Sequence, residues 1–434
     1  MVRTIFASIF YFISVLSTVA QDFVMGKHLP AWQPGFLDIH HINTGRGSAA
    51  FIIFPDGTNM LLDAGEIPPT DSRVMTPRNS SIKPNNEKKP YEWISWYIQR
   101  HSPQSEKTQI DYALTTHFHD DHFGSWYPDA PLSKSGKFVL SGITGVGEVI
   151  PIRTLADRAS PSFSFPFDFR KTEKAKYIEP TFDKTFENYL AFIQEKSKSG
   201  LKLDSFRAGS KTQFVQKNGK LASNDFYIQN IKSNGFIWTG KDSSVVNHFP
   251  DADASKSTTW PDENSMSLAF CINYGPFKYY TGGDNAGNLI TGDNPLKDVE
   301  TAIAKVVGEV DIATMDHHGN RDAINEYFVK TLKPKIWIGQ SWSSDHPGHE
   351  VLIRMTNKNI YPGERDLFAT NMLEANRIVI GPLIDRSYKS QQGHIVVRVL
   401  PGGKSYYIII LEDNTPEMPV KSVFGPYQSK SIRH

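Results

Sequence analysis

The chain has 434 residues, 39% hydrophobic and 21% charged, enough for one large domain or two to three ordinary ones around a sizeable core. Lys and Arg number 47 against 46 Asp and Glu, a balance that gives no global argument for binding nucleic acid or an acidic membrane. The single cysteine, Cys271, excludes an internal disulfide.

Residues 1–20, MVRTIFASIFYFISVLSTVA, place Arg3 before an apolar run from Ile5 to Leu16 and end on small residues. This is the layout of a secretory signal peptide, and the run is shorter than the ~20 apolar residues a spanning helix needs. The expectation is cleavage after Ala20 and a secreted or periplasmic protein with no integral membrane span. Residues 21–434 are then expected to form a single domain. Loss of Arg3 leaves 46 basic and 46 acidic residues (47 − 1 against 46).

After the leader, the apolar runs 37–42, 49–54 and 60–62 are punctuated by Gly45-Arg46-Gly47 and Asp56-Gly57 and predict a β-meander. Residues 67–90 are polar, contain several prolines, and read as a loop. YEWISWYIQRH (91–101) places Trp93, Ile94, Tyr97 and Ile98 on one helical face. IDYALTT (110–116) predicts a buried strand. The stretch of about 130–250 reads as an insertion between two halves of the domain. Within it, residues 170–220 hold twelve Lys/Arg against six Asp/Glu, and 186–200 predict an amphipathic helix. Apolar strands come next at 265–275 and 277–284. Helices at 297–307 and 322–332 then alternate with strands at 310–316 and 335–340, before a helix at 349–357 and a hairpin turned at Pro401-Gly402-Gly403. Two sheets faced by helices, an αββα sandwich of the α/β class, accommodate this order.

The chemistry is concentrated in TTHFHDDHFGS (115–125). Alternate residues of a strand share a face, so His117 and His119 are expected to project together at the end of the 110–116 strand. Asp121 and His122 lie past the bend that Gly124 permits. Imidazole nitrogen and carboxylate oxygen suit zinc at about 2.0–2.2 Å, with manganese or iron as alternatives. Further ligands are sought at other strand ends: Asp284 in YYTGGD, His317 and His318 in ATMDHHGN, His346 and His349 in SSDHPGHE, and Asp63 in LLDAG.

The His-x-His-x-Asp-His motif, with the meander of 37–65, ENSMSLAFCINYGPFKYYTGGD, DHHGN and HPGHEVLIRM, resembles the metallo-β-lactamase superfamily. The later segments are similar to its competence-protein-like branch, which includes the DNA-uptake protein's hydrolase domain and phosphorylcholine esterases. The resemblance spans about residues 36–400, with 130–250 unmatched in detail. It implies two divalent metal ions. His117 and His119 would hold the first; Asp121, His122 and His318 the second; Asp284 would bridge them, and Asp63 would orient ligands from behind. The sequence departs from the family at the third histidine of the first metal. The sole histidine in that interval is His248, which reads as a loop residue.

The mechanism this implies is hydrolysis by a metal-held hydroxide, with Asp121 orienting the water and His317 or His346 serving as proton donor or charge stabiliser. The substrate is expected to be a small or polymeric ester, with a phosphodiester favoured and nucleic acid entering only as substrate. The alternatives are a β-lactamase or other carboxylic ester or amide hydrolase, and a non-catalytic metal-containing binding protein. Cys271 would lie mid-strand, which argues against a cysteine-ligand zinc β-lactamase. Both His40 and His41 are expected to be structural. Trp93, Trp96 and Trp126 are expected to serve core or rim packing, and Trp126, four residues past His122, is the one to test for a choline-type cage.

Overall fold

The computed structural model describes residues 23–104, 108–250, 261–287 and 297–430. The expected leader lies outside them. No helix among the described residues is long and apolar enough to cross a membrane.

The first sheet contains β1 (Leu37–His41), β2 (Ala50–Ile53), β3 (Asn59–Leu62), β4 (Ile110–Leu114), β5 (Ile152–Asp157) and β6 (Lys202–Ser205). The second takes β7 (Phe226–Ser233), β8 (Phe236–Trp238), β9 (Val245–Asn247), β10 (Ala269–Tyr274), β11 (Phe277–Thr281), β12 (Ile312–Thr314), β13 (Ile336–Gly339), β14 (Asp366–Ala369) and β15 (Tyr388–Ser390). The chain then returns to the first sheet through β16 (His394–Val399), β17 (Ser405–Leu411) and β18 (Val420–Gln428). The spatial orders are β18-β17-β16-β1-β2-β3-β4-β5-β6 and β15-β14-β13-β12-β11-β10-β7-β8-β9. Both sheets are mixed: β3-β4-β5-β6 and β11 to β15 run parallel, the rest antiparallel.

Alternation along the strands builds the layers. Leu37, Ile39, Ile52, Met60, Ile272, Tyr279, Ile338 and Ile408 fill the core between the sheets. Their neighbours Phe51, Leu61, Ala113 and Ile409 face outward onto the helices Pro90–His101, Gly142–Val149 and Phe182–Ser197. Cys271, Tyr280, Ala313 and Trp337 do the same on the other sheet, against Val299–Val307, Glu326–Leu332 and His349–Thr356. Each fully buried Leu, Ile, Met or Phe among these contributes about 1.5–3 kcal/mol. The result is an α/β architecture of two large mixed sheets flanked by helices, consistent with an αββα sandwich.

The 130–250 stretch is not an insertion outside the sheets. It supplies β5 and β6 to one and β7 to β9 to the other, with β7 paired to the central β10. The longer segments off the sheets are 130–151, with the Gly142–Val149 helix, 158–201 and 206–225. The glycines of GITGVGE serve close helix packing there: a Cβ on Gly145 would lie 2.3 Å from the Tyr91 ring, and one on Gly147 2.5 Å from Phe192.

Candidate metal centre

β3 and β4 run parallel and end side by side, so the segments leaving the two strands meet on one rim of the sheet. Past β3, Asp63 adopts a left-handed backbone (φ 59°). Its Oδ1 accepts from Thr116 N at 2.7 Å and its Oδ2 from Thr116 Oγ1 at 2.9 Å. Past β4, the chain turns into a short helix, Asp120–Phe123, which carries Asp121 and His122. Two glycines of the meander make room for that turn. A Cβ on Gly65 would lie 1.9 Å from the Asp121 carbonyl oxygen, and one on Gly47 2.3 Å. The TGRGS segment is therefore a close-packed turn, with Ser48 N donating to Asp121 O at 2.7 Å.

The second sheet brings Asp284, after β11, and His318, after β12, to the same rim. His317, His318 and Gly319 all have positive φ (46°, 55° and 77°), a sequence of left-handed residues that for histidines costs backbone strain. One ligand atom from each of Asp121, His122, Asp284 and His318 lies within 4.8 Å of the others, and all four residues are buried. Among the described residues this is the one such group.

The hydrogen bonds behind the imidazoles fix what they present. His122 Nδ1 lies 2.8 Å from Asp63 Oδ2, and His318 Nδ1 lies 2.9 Å from the Gln340 carbonyl. A carbonyl or carboxylate only accepts, so each Nδ1 carries the proton. The two Nε2 atoms then turn their lone pairs toward each other at 3.1 Å. Asp121 Oδ2 lies 3.0 Å from His318 Nε2, and Asp284 Oδ1 lies 3.0 Å from His122 Nε2 without accepting a hydrogen bond. A proton or a metal cation placed among these atoms resolves the opposition. The titration reflects the same balance. Burial lowers His122 and His318, but the carboxylates of Asp284 and Asp121 outweigh it, raising His318 to about 9 and His122 well above its ordinary value. Burial raises Asp284 and Asp121, and the imidazoles outweigh that, holding both well below the usual carboxylate range. The cluster is built to hold positive charge, and its donor set fits a divalent cation such as zinc.

His117 and His119 lie on the flank of this group. His117 Nε2 is 3.7 Å from Asp284 Oδ2 and 3.2 Å from His119 Nδ1. His117 is fully buried, and burial lowers its pKa well below the ordinary value. β4 stops at Leu114, so the pair stands on a turn and not on the strand expected from the pattern. His248, after β9, is absent from the group and from the cavity wall.

A cavity of about 300 Å³ opens over the cluster, lined by His119, Asp121, Asp284, His317, His318 and His346 on the metal side. His317 Nδ1 lies 2.7 Å from Asp322 Oδ1, so Nε2 faces inward, 3.2 Å from Asn264 Nδ2 and 3.8 Å from Asp284 Oδ2. The His346 ring lies against that of His318. His349 begins a helix and is exposed.

The same cavity is also lined by Arg73, Arg78, Asn79 and Glu179, none of which the sequence marked as part of a site. They come from the 67–90 loop and the 158–201 excursion. Asn79 pairs with Ser343 in an isolated β-bridge, Ser80 N donates to Trp342 O at 3.0 Å, and Ser344 N donates to Arg78 O at 2.8 Å. Asn79, in a nominal glycosylation sequon, is buried in this wall. The basic excess of 170–220 is elsewhere, spent on contacts such as Lys196–Glu148 and Arg207–Asp204. Lys184 Nζ sits 4.3 Å from the Trp126 ring centroid, so that face is already covered.

No protein-family model matches the chain, and no curated protein matches it. Among solved structures it is similar to that of a protein of unknown function from Enterococcus faecalis V583. The two share 8% identity over 82% of this chain and 76% of that one, with a TM-score of 0.29.

Proposed function

We propose that this protein is an exported, metal-dependent hydrolase of the metallo-β-lactamase fold, in its competence-protein-like branch, acting on an ester and by preference a phosphoester. The observation that carries the reading is the opposed pair of Nε2 lone pairs on His122 and His318, flanked by Asp121 and Asp284, with His318 and the two carboxylates lining an open cavity. His122, His318, Asp121 and Asp284 would hold one divalent ion. His117 and His119, with Asp284 between, would contribute to a second. Such an ion supplies Lewis acidity toward the scissile oxygen and activates water near neutral pH.

The chain's own residues do the rest. Asp121 faces the cavity and can orient an attacking water. The Asp322 carboxylate fixes the His317 tautomer, so that Nε2 meets the substrate side of the site. His346 lies deeper, within reach of the same space. Arg73 and Arg78 line the same cavity, where guanidinium groups complement phosphate oxygens. Arg73 is held by Asp71 and Asp120 and Arg78 by Asp345, so a phosphoester would have to share these guanidinium groups with the carboxylates that now hold them.

The deciding experiment is metal analysis of the purified mature protein together with turnover of a chromogenic phosphodiester, a chromogenic carboxylic ester and a chromogenic cephalosporin. The expected result is bound divalent metal with the phosphodiester cleaved fastest. Cephalosporin cleavage would point to a lactamase, and metal without turnover of any of the three to a binding protein. Absence of metal under replete conditions would end the proposal.

A further inference from the structure

A second cavity, of about 530 Å³, lies on the outer face of the first sheet, where the helix cover ends, and shares no lining residue with the cavity over the metal cluster. Its floor is polar. Asp38 of β1 and Arg398 of β16 face each other in register, and Arg398 grips the carboxylate through Nε at 3.0 Å and Nη2 at 2.7 Å. Both are buried, and Arg398 retains Nη1 without a partner among the described residues. Burial alone would raise the Asp38 carboxyl; Arg398 and His40 hold it instead at about 2.

Two imidazoles complete the floor. His40 is 1% exposed, and its Nδ1 lies 2.9 Å from Tyr97 Oη. His101, at the end of the Pro90–His101 helix, stacks beside it with 5.1 Å between ring centroids. The Nε2 atoms of both are buried without a hydrogen-bond partner among the described residues, with Asp38 Oδ2 3.7 Å from that of His40. Buried polar atoms without partners each call for an explanation, such as an ordered water, an ion or a ligand. The walls mix apolar residues, Leu29, Trp32, Pro103 and Met418, with the charged Arg100 and Glu417.

A partly apolar chamber of a few hundred cubic ångströms with convergent polar groups is the form of a small-molecule site. The unsatisfied atoms set the ligand's chemistry. Arg398 Nη1 can only donate, and a neutral imidazole can donate from one nitrogen, so the floor calls for an acceptor. Asp38 already offsets Arg398 and Glu417 offsets Arg100, so the lining carries no excess positive charge of the kind a dianionic phosphate needs. A metal does not suit it, since the compact ligand group among the described residues lies elsewhere.

We propose that this cavity binds a small amphipathic carboxylate, its oxygens at Arg398, His40 and His101 and its apolar body against Trp32, Pro103 and Met418. This inference is independent of the hydrolase reading.

The test is isothermal titration of the full mature protein with benzoate and hexanoate, and with benzamide and hexanamide as neutral counterparts. Saturable binding of the acids, at least tenfold tighter than of the amides, is expected. His101→Phe keeps the ring volume and Arg398→Lys keeps the charge; each, verified as folded by circular dichroism, should weaken the acids at least tenfold and leave hydrolysis unchanged. His318→Ala should bind them as the parent does, which separates this site from carboxylate coordination at the metals. The proposal is overturned by no saturable binding to the parent, by equal affinity for acid and amide, or by binding lost only in His318→Ala. Should both floor variants fail to fold, the comparison of acid with amide on the parent decides.

Discussion

The ring of His346 lies 17° from parallel to that of His318, with 4.6 Å between centroids. His346 is 3% exposed and lines the cavity, yet it belongs to no ligand group. Its contact with the His318 imidazole is stacking, which phenylalanine can reproduce. His346→Phe is therefore expected to retain metal, while the turnover number falls about 10²-fold if the imidazole handles a proton. Metal content and turnover measured on one preparation check this; unchanged turnover would assign His346 to packing alone.

Asp63 controls the tautomer of His122 through the 2.8 Å contact to Nδ1. Asp63→Asn offers an amide that can donate where the carboxylate could only accept, and so releases the proton from Nδ1 toward Nε2. Metal affinity is expected to fall about 10- to 100-fold, the usual cost of losing an orienting partner. Competition with a chromogenic chelator measures it.

Asp284 joins both flanks of the cluster. Chelator-treated parent protein should gain thermal stability on adding zinc, about 2.7 kcal/mol when free metal reaches 100 times its dissociation constant. Asp284→Asn should show little of that gain. Thermal unfolding with and without metal decides; an equal gain in the variant would place the metal elsewhere.

Gly65 has no space for a side chain. Its Cβ would meet the Asp121 carbonyl at 1.9 Å, and backbone on both sides prevents an easy shift. Gly65→Ala is expected to lower the unfolding midpoint and reduce metal binding together, because the displaced turn carries Asp121 and His122. A variant stable and fully metal-loaded would contradict this account of the turn.

Glu66 is buried, with Oε2 accepting from Gly142 N and Tyr91 N and Oε1 without a partner. Burial pushes its carboxyl up to about 7 against the lowering effect of those two bonds. A raised folded value means the folded state keeps a proton that the unfolded chain releases near 4.5. Stability is therefore fully present below pH 4.5 and falls as pH rises to about 7, by up to about 3 kcal/mol. Glu66→Gln cannot lose that proton. Its stability relative to the parent should rise between pH 5 and 8, which denaturant titrations across that range would show; a constant difference would refute the assignment.

Local pattern carried much of this. The meander, the 91–101 helix, the strands at 265–284 and the terminal hairpin follow from period and turn residues, which act over a few positions. His117, His119, Asp121 and His122 stand within six positions of one another, and Asp284 and His318 come after short apolar strands. Such strands end where the chain must leave the sheet, so polar residues there are marked by position alone. Cys271 likewise falls mid-strand and buried, as its apolar neighbours required.

Three things depended on the tertiary structure. Strands β5 to β9 alternate weakly and are recognisable only once neighbours supply their pairing. The cavity wall of Arg73, Arg78 and Asn79 comes from an aperiodic loop held by a bridge to Ser343, more than 250 positions away. The floor of Asp38, His40, His101 and Arg398 joins a strand, a helix end and a returning strand separated by up to 360 positions. The sequence by itself determined which side chains could act as ligands, because that is intrinsic chemistry. Which of them meet, and what faces them, is decided by long-range packing and strand register, and no local pattern encodes these.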